Sequence, residues 1–430
     1  MKVTMLLKSQ LLKDSIWAVI GSVVLRGLSM FSGIFIARML GSETYGAFTT
    51  LKGFLLTITV FSTLGLGYSS TKFFAEHLNV NTGIFKSLYR YVMKITLFFS
   101  VFFSFLLFFF SDYYASNFLK DDGLSYATKI LAISIVFNAL SFTQVGVISG
   151  LKKFKKLSVL NLIVGIFSFA GSLGLTYYFG FLGSVYSLLF VSILNFVLNE
   201  IFLSREWKNM NCDKNSIDIA IKKSIKQQTF PIALQEISYA VAAWLGPLLL
   251  IKYSNYSDVA NYNIVMQWNA IILFIPGALR NVILSYLVTA NNENSADNQW
   301  KIMKKTIALN VLTTLCPAIV IYFARFFIVD LYGSQYAEVA TLISLAVFIT
   351  VPLSVSNIYA QAFMSLNKNW MMLILRIFRD FSILAVFLIL FATLDVIPSY
   401  AMLQSSLWCN CIFVLFLMVF YYRMKINKNI

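Results

Sequence analysis

Apolar residues in this chain come in long unbroken blocks separated by short polar runs, and the blocks recur about twelve times. They fall at 15–37, 47–74, 91–111, 127–149, 157–179, 184–204, 229–251, 261–289, 306–329, 339–364, 372–393 and 399–421. A helix rising 1.5 Å per residue needs about 20 apolar residues to cross the hydrocarbon core, and each block is of that order. The longer ones predict tilt, or extension past the core. A β-barrel would instead alternate apolar and polar positions over strands of about 10 residues. The pattern predicts an all-α integral membrane protein of about twelve transmembrane helices.

Composition agrees with that class. Of the 430 residues, 59% are hydrophobic and 12% charged, with a mean hydropathy of +0.77, more apolar surface than a soluble fold of this size can hide. The formal charge of +16 would suit a nucleic-acid partner, but the placement of the cations removes that reading. With the N-terminus inside, Lys2, Lys8, Lys13, Lys86, Arg90, Lys152 to Lys156, Lys222 to Lys226, Lys301 to Lys305 and Arg423 to Lys428 all bring basic residues to the cytoplasmic side. The outer side has Arg38, Lys120, Lys129, Lys252 and Arg325. Such a bias predicts twelve spans with both termini cytoplasmic. The first block is too long for a signal-peptide core and lacks a small-x-small cleavage site, so it is expected to act as the first anchor.

The longest polar stretch, Arg205 to Gln228, falls at the midpoint. It divides the chain into an N-terminal lobe (1–204), a cytoplasmic linker (205–228) and a C-terminal lobe (229–430), each lobe with six helices. Within the linker, Ile217 to Lys226 reads as a short amphipathic helix on the membrane surface. An internal echo supports two related halves: Gly150-Leu151-Lys152-Lys153 with Leu160 recurs 215 residues later as Ser365-Leu366-Asn367-Lys368 with Leu375. An even number of spans per half makes the repeats parallel, related by a pseudo-two-fold axis along the membrane normal, with a central cleft.

Three cations remain at membrane depth: Arg26 in the first span, Lys52 in the second and Arg280 in the eighth. A buried ion is costly and faces a protein interior or a watery cavity. Arg26 shares a helical stripe with Ser22, Ser29 and Gly33, which either permits close packing or lines a cavity. Lys52 shares a face with Thr49, Thr59 and Ser62 or Thr63; its alternative is to snorkel outward. Arg280 follows Pro276-Gly277, where the helix is expected to bend, and its alternative is to snorkel inward. The buried counter-charges are few: Glu236 in span seven, and Asp380 in span eleven, which already has Arg376 and Arg379 of the cytoplasmic helix end within a turn. A central cavity with more cations than carboxylates favours an anionic substrate, and guanidinium forks suit phosphate or pyrophosphate. Glu236 is a candidate for ion coupling or a structural partner for an arginine. The Phe98 to Phe110 run reads as packing and lipid contact. Cys212, Cys316, Cys409 and Cys411 show no framework spacing and read as apolar packers, not disulfides or ligands. No phosphate-cradling loop, metal-binding cluster or Ser-His pair is present, so no enzyme activity, metal or cofactor is expected.

At the first outer loop the chain reads Ala37-Arg38-Met39-Leu40-Gly41-Ser42-Glu43-Thr44-Tyr45-Gly46-Ala47-Phe48. Gly65-Leu66-Gly67 with Phe74-Ala75-Glu76, Gly150-Leu151-Lys152-Lys153-Phe154 with Leu160-Asn161, and Leu331-Tyr332-Gly333-Ser334-Gln335-Tyr336-Ala337 follow in order. Together these resemble the polysaccharide-transporter branch of the multidrug/oligosaccharidyl-lipid/polysaccharide exporter superfamily, and within it the Wzx-type O-antigen flippases. The resemblance implies a bacterial inner-membrane flippase moving undecaprenyl-diphosphate-linked oligosaccharide from the cytoplasmic to the periplasmic leaflet by alternating access. It further implies anionic-headgroup contacts at Arg26, Lys52 and Arg280, by likeness to the cavity cations of the related lipid II flippases. Where those flippases would carry Arg in span two, this chain has Lys52. Expected partners are the lipid-linked oligosaccharide, the bilayer, a polysaccharide polymerase and a chain-length regulator, with no nucleic acid. An ion-coupled multidrug exporter of the same superfamily, a capsule or teichuronic-acid exporter, and a repeat-unit polymerase are the competing readings. The short loops disfavour the last.

Overall fold

The computed structural model describes residues 21, 23–77, 84–210, 219–277, 287, 296–366, 368–393 and 396–428. Every described element is helical. They are α1 (Val23–Leu40), α2 (Ser42–Thr63), α3 (Leu66–His77), α4 (Phe85–Phe109), α5 (Ser111–Tyr114), a π-helical turn (Ala115–Leu119), α6 (Ser125–Gly150), α7 (Phe154–Asn209), α8 (Ile219–Tyr253), α9 (Tyr256–Ile272), α10 (Ala296–Phe323), α11 (Arg325–Tyr332), α12 (Glu338–Ser365), α13 (Asn369–Thr393) and α14 (Pro398–Lys428). Among the described residues, seven helices are long and apolar enough to cross a membrane.

Several breaks differ from the sequence expectation, each for a local reason. The second block is two helices: Leu64 (φ 47°) and Gly65 (φ 72°) both take left-handed backbone between α2 and α3. Just before that break, Ser62 and Thr63 spend their hydroxyls on the carbonyls of Ile58 and Val60, which competes with the regular ladder. The fifth and sixth blocks form one element, α7, which turns back at Gly180 (φ 57°, ψ −132°). A Cβ on Gly183 would lie 1.9 Å from the Leu175 carbonyl oxygen, so the two arms cross too closely for any other residue. Ile219 to Lys226 is the start of the 35-residue α8 and no separate surface helix. α9 stops at Ile272, the residue whose carbonyl the Pro276 ring would meet.

The chain forms two compact units, Met1–Ile251 and Lys252–Ile430. The first therefore takes in α8, which the sequence pattern assigns to 229–430. Each unit is built around one buried helix, α6 in the first and α12 in the second. α6 packs against α2, α3, α4 and α7; α12 packs against α9, α10, α11, α13 and α14. Small residues allow the close approach. A Cβ on Gly146 of α6 would sit 1.9 Å from the Gly67 carbonyl oxygen of α3, and Thr71 donates to the Gly146 carbonyl at 3.0 Å. Gly146→Leu is therefore expected to destabilise the first unit by about 1–3 kcal/mol through overpacking, measured as a lower unfolding midpoint and a smaller membrane-extracted yield.

The sequence echo has a structural counterpart. At the end of α6, Leu151 N–H donates to Val147, Lys153 N–H to Ile148 and Leu157 N–H to Lys153. At the end of α12, Leu366 N–H donates to Ala362, Lys368 N–H to Phe363 and Met372 N–H to Lys368. The three bonds recur at the same 215-residue offset as the sequence motif. Each turn also caps an aromatic core: Phe74, Phe85, Tyr89 and Trp207 in the first unit, Tyr359, Phe363, Phe413 and Tyr421 in the second.

Candidate functional site

α1 lies against the first arm of α7. A Cβ on Gly165 would meet Leu25 and Leu28, and Phe35 meets Phe169 edge to face at 6.2 Å. Arg26 and Ser29 are exposed beside that contact and Gly33 is half-buried, while Ser22 lies outside the described residues. The Arg26 stripe thus runs along a surface of α1, not through its packing seam.

Gly41 (φ 80°) is the single residue joining α1 to α2. Counted along each helix from it, Arg26 is about 22 Å away and Lys52 about 16 Å. Lys52 is half-buried. Its expected polar companions are placed differently: Thr59, Ser62 and Thr63 are buried and bond to carbonyls of their own helix. Only Thr49 of that set is half-buried alongside Lys52. Threonine and serine inside a helix satisfy themselves on the preceding turn, a preference that face-counting ignores.

Arg280 lies outside the described residues. Upstream of it, Pro276 is buried and Gly277 exposed. Glu236 is half-buried on α8, next to the exposed Tyr239. Of the cysteines, Cys212 lies outside the described residues, Cys409 is buried, and Cys316 and Cys411 are exposed.

One charged site escaped the sequence pattern, and a second was read at the wrong depth. In the first unit, Glu200 of α7 accepts hydrogen bonds from the Tyr89 hydroxyl and, at 2.8 Å, from the Gln144 amide. Gln144 also donates to Tyr89 at 3.1 Å, so α4, α6 and α7 are tied at one point. Thr96 and Thr143 pair one step further along α4 and α6 at 3.1 Å. At the adjoining turn Lys153 pairs with Glu206 at 3.0 Å. Glu200→Ala leaves two buried donors without their acceptor, at a cost of about 1–3 kcal/mol. Glu200→Gln should recover most of it, since its amide oxygen still accepts; thermal unfolding of the two variants checks this.

In the second unit, Arg379 donates through Nε and Nη2 to one oxygen of Asp380, at 2.8 and 2.6 Å. Both side chains are largely buried, 11% and 15% exposed, and the guanidinium lies over the Phe413 ring at 5.1 Å. Arg379 stands about 15 Å into the 25-residue α13, near its middle, whereas hydropathy alone places it at a helix end. The signal was present in the adjacent Arg-Asp pair, but the span boundary hid its depth.

The sequence profile described as "Polysaccharide biosynthesis protein" matches residues 11–279, more than half of the chain. No curated protein sequence matches. Among solved structures, the chain is similar to an inward-facing multidrug resistance MATE family transporter of the MOP superfamily, with TM-score 0.81, 12% identity, and coverage of 95% of this chain and 99% of that one. An outward-facing MATE transporter gives TM-score 0.73 at 15% identity, covering 98% and 96%. A MOP superfamily transporter from Pyrococcus furiosus, described as having a binding pocket of reverse polarity, gives 0.71 at 15% identity, also covering 98% and 96%. At these identities the likeness establishes the fold alone, the all-helical, two-lobed architecture of those proteins. With that architecture and a profile match over most of its first unit, the chain belongs to the polysaccharide biosynthesis protein family.

Proposed function

We propose that this multi-pass membrane protein is a flippase for undecaprenyl-diphosphate-linked oligosaccharide, an O-antigen or related repeat unit, working by alternating access. The observation that carries the reading is the charge of α1 and α2: Arg26 and Lys52 lie on these two helices about 22 and 16 Å along the chain from the turn that joins them, and the acidic residue of these helices, Glu43, is in the first turn of α2. An excess of cations over carboxylates along these helices suits a diphosphate. Arg26 would hold the headgroup at mid-depth, Arg280 would receive it from the cytoplasmic side, and Lys52 would ease its exit, while the polyprenyl tail stays in lipid. The lysine-rich turn at Lys152 to Lys156 and Lys368 support a cytoplasmic face by the positive-inside bias; in this reading both termini are inside and the membrane is the bacterial inner membrane. Glu236 is the proposed ion-coupling carboxyl. A polymerase and a chain-length regulator would act next on the product.

A deletion strain tests the reading. Lipid-linked repeat units should accumulate on the cytoplasmic leaflet and surface glycan should fall. Normal surface glycan without accumulation would move the function to drug export, the second reading, which the likeness to multidrug transporters favours.

A further inference from the structure

Four aromatic rings in the first unit form a stack that neither packing of α6 nor the proposed anion contacts require. Phe54 of α2 lies face to face with Tyr114 at 4.2 Å and 21°. Tyr114 is near-parallel to Phe118 at 5.5 Å and 22°. Trp244 of α8 closes the group against all three, at 5.4 Å from Phe54, 6.4 Å from Tyr114 and 6.3 Å from Phe118. Phe54 and Tyr114 are buried, and Phe118 is 43% exposed at the end of the stack.

Its location is informative. Tyr114 and Phe118 lie on the turn between α4 and α6, at the end opposite the lysine-rich turn Lys152 to Lys156. That turn is braced. Asp112 accepts from the Ser125 hydroxyl and pairs with Lys129 at 3.5 Å, Ser116 donates to the Asp122 carboxylate, and Asn117 donates to the Tyr113 carbonyl at 3.0 Å. The Ser125 hydrogen bond first, and Lys129 second, hold the Asp112 carboxyl below the ordinary carboxylate range. The brace therefore stays ionised in mild acid and is lost only as pH falls through that lowered value. Trp244, by contrast, comes from α8, which the 215-residue repeat assigns to the second half of the chain, yet it docks on the first unit. At its other end α8 meets the first unit through a hydroxyl pair, Thr229 to Ser69 at 3.0 Å. A braced turn on one side and a helix from the other sequence half on the other side is the arrangement of a closure.

We propose that the Phe54–Tyr114–Phe118–Trp244 stack is the outer closure of the transport path, which parts when the path opens to the outside. This rests on the transporter reading for the word path and on the expected orientation for the word outer. Offset and tilted ring pairs add to simple burial, each by roughly two- to tenfold in an equilibrium. They have no directional bonds to break one by one, so the stack can separate and re-form as a unit. Lys52, two residues from Phe54 on α2, would meet the departing anion where the rings part.

The test uses the full chain in lipid nanodiscs, with the four native cysteines replaced by serine and spin labels on Leu56→Cys and Ala243→Cys, exposed positions flanking the rings. The intact stack should give a dominant short distance. Trp244→Ala, which removes three ring contacts, should raise the long-distance population about tenfold or more; Phe118→Ala, at the exposed end, should raise it several-fold; Trp244→Phe should keep the short one. Distributions unchanged by Trp244→Ala and by Phe118→Ala overturn the proposal. The readout does not involve substrate, so a failed flippase reading shows up separately, as normal surface glycan in the deletion strain.

Discussion

Asp380→Ala is expected to cost the second unit about 3–5 kcal/mol, because it strands the Arg379 guanidinium in the interior of α13. The loss comes less from the attraction removed than from the uncompensated charge left behind. Replacing both partners, Arg379→Met with Asp380→Leu, should therefore be much milder than the single change. Asp380→Asn should fall between, since its amide oxygen still accepts from Nε and Nη2. Unfolding midpoints of the purified variants decide the matter: a double variant as unstable as Asp380→Ala would sink the ion-pair account. Both exposures are well under a third, so solvent screening does not reduce the estimate to that of a surface pair.

Arg26→Ala is the change expected to matter most for transport. Hydrogen bonds to a charged group contribute about 1.5–3 kcal/mol, so losing the phosphate contact should slow flipping roughly ten- to hundredfold. Arg26→Lys keeps the charge without the bidentate fork and should be intermediate. Stability should change little, because Arg26 is exposed and stands beside the α1–α7 seam, not in it. The measurement is accumulated lipid-linked repeat unit per unit of membrane-embedded protein. Wild-type turnover in Arg26→Gln would remove the residue from the substrate site.

The fold class was legible because an apolar block of about 20 residues has little stable use outside a membrane, and the repeat was legible in a four-residue turn. What the blocks could not show were the breaks. Leu64-Gly65 looks apolar enough to continue a span, and the reversal at Gly180 is a backbone event that leaves no gap in hydropathy. The site was partly legible. An arginine deep in an apolar helix stands out in the sequence, and the structure places Arg26 on an exposed face of α1. Glu200 did not stand out, because a carboxylate near a span end reads as solvated; its partners Tyr89 and Gln144 come from 111 and 56 residues away. On the Lys52 face, hydroxyls that bond their own helix look identical in sequence to hydroxyls lining a cavity.

The buried helices α6 and α12 bear on how the molecule is made. Synthesis runs from the N-terminus, so α2, α3 and α4 emerge before α6, and α7 follows after a short turn. The buried helix of the first unit, carrying Thr143 and Gln144, thus enters a bilayer where most of its sheath is already waiting, and the last wall arrives within seconds. α12 has the same sequence of arrivals, with α9, α10 and α11 ahead and α13 and α14 behind. Reordering the helices by circular permutation inside a unit would preserve every final contact. It would also leave those side chains facing lipid during translation, and the penalty would be read in yield and quality control instead of in the stability of the protein that survives.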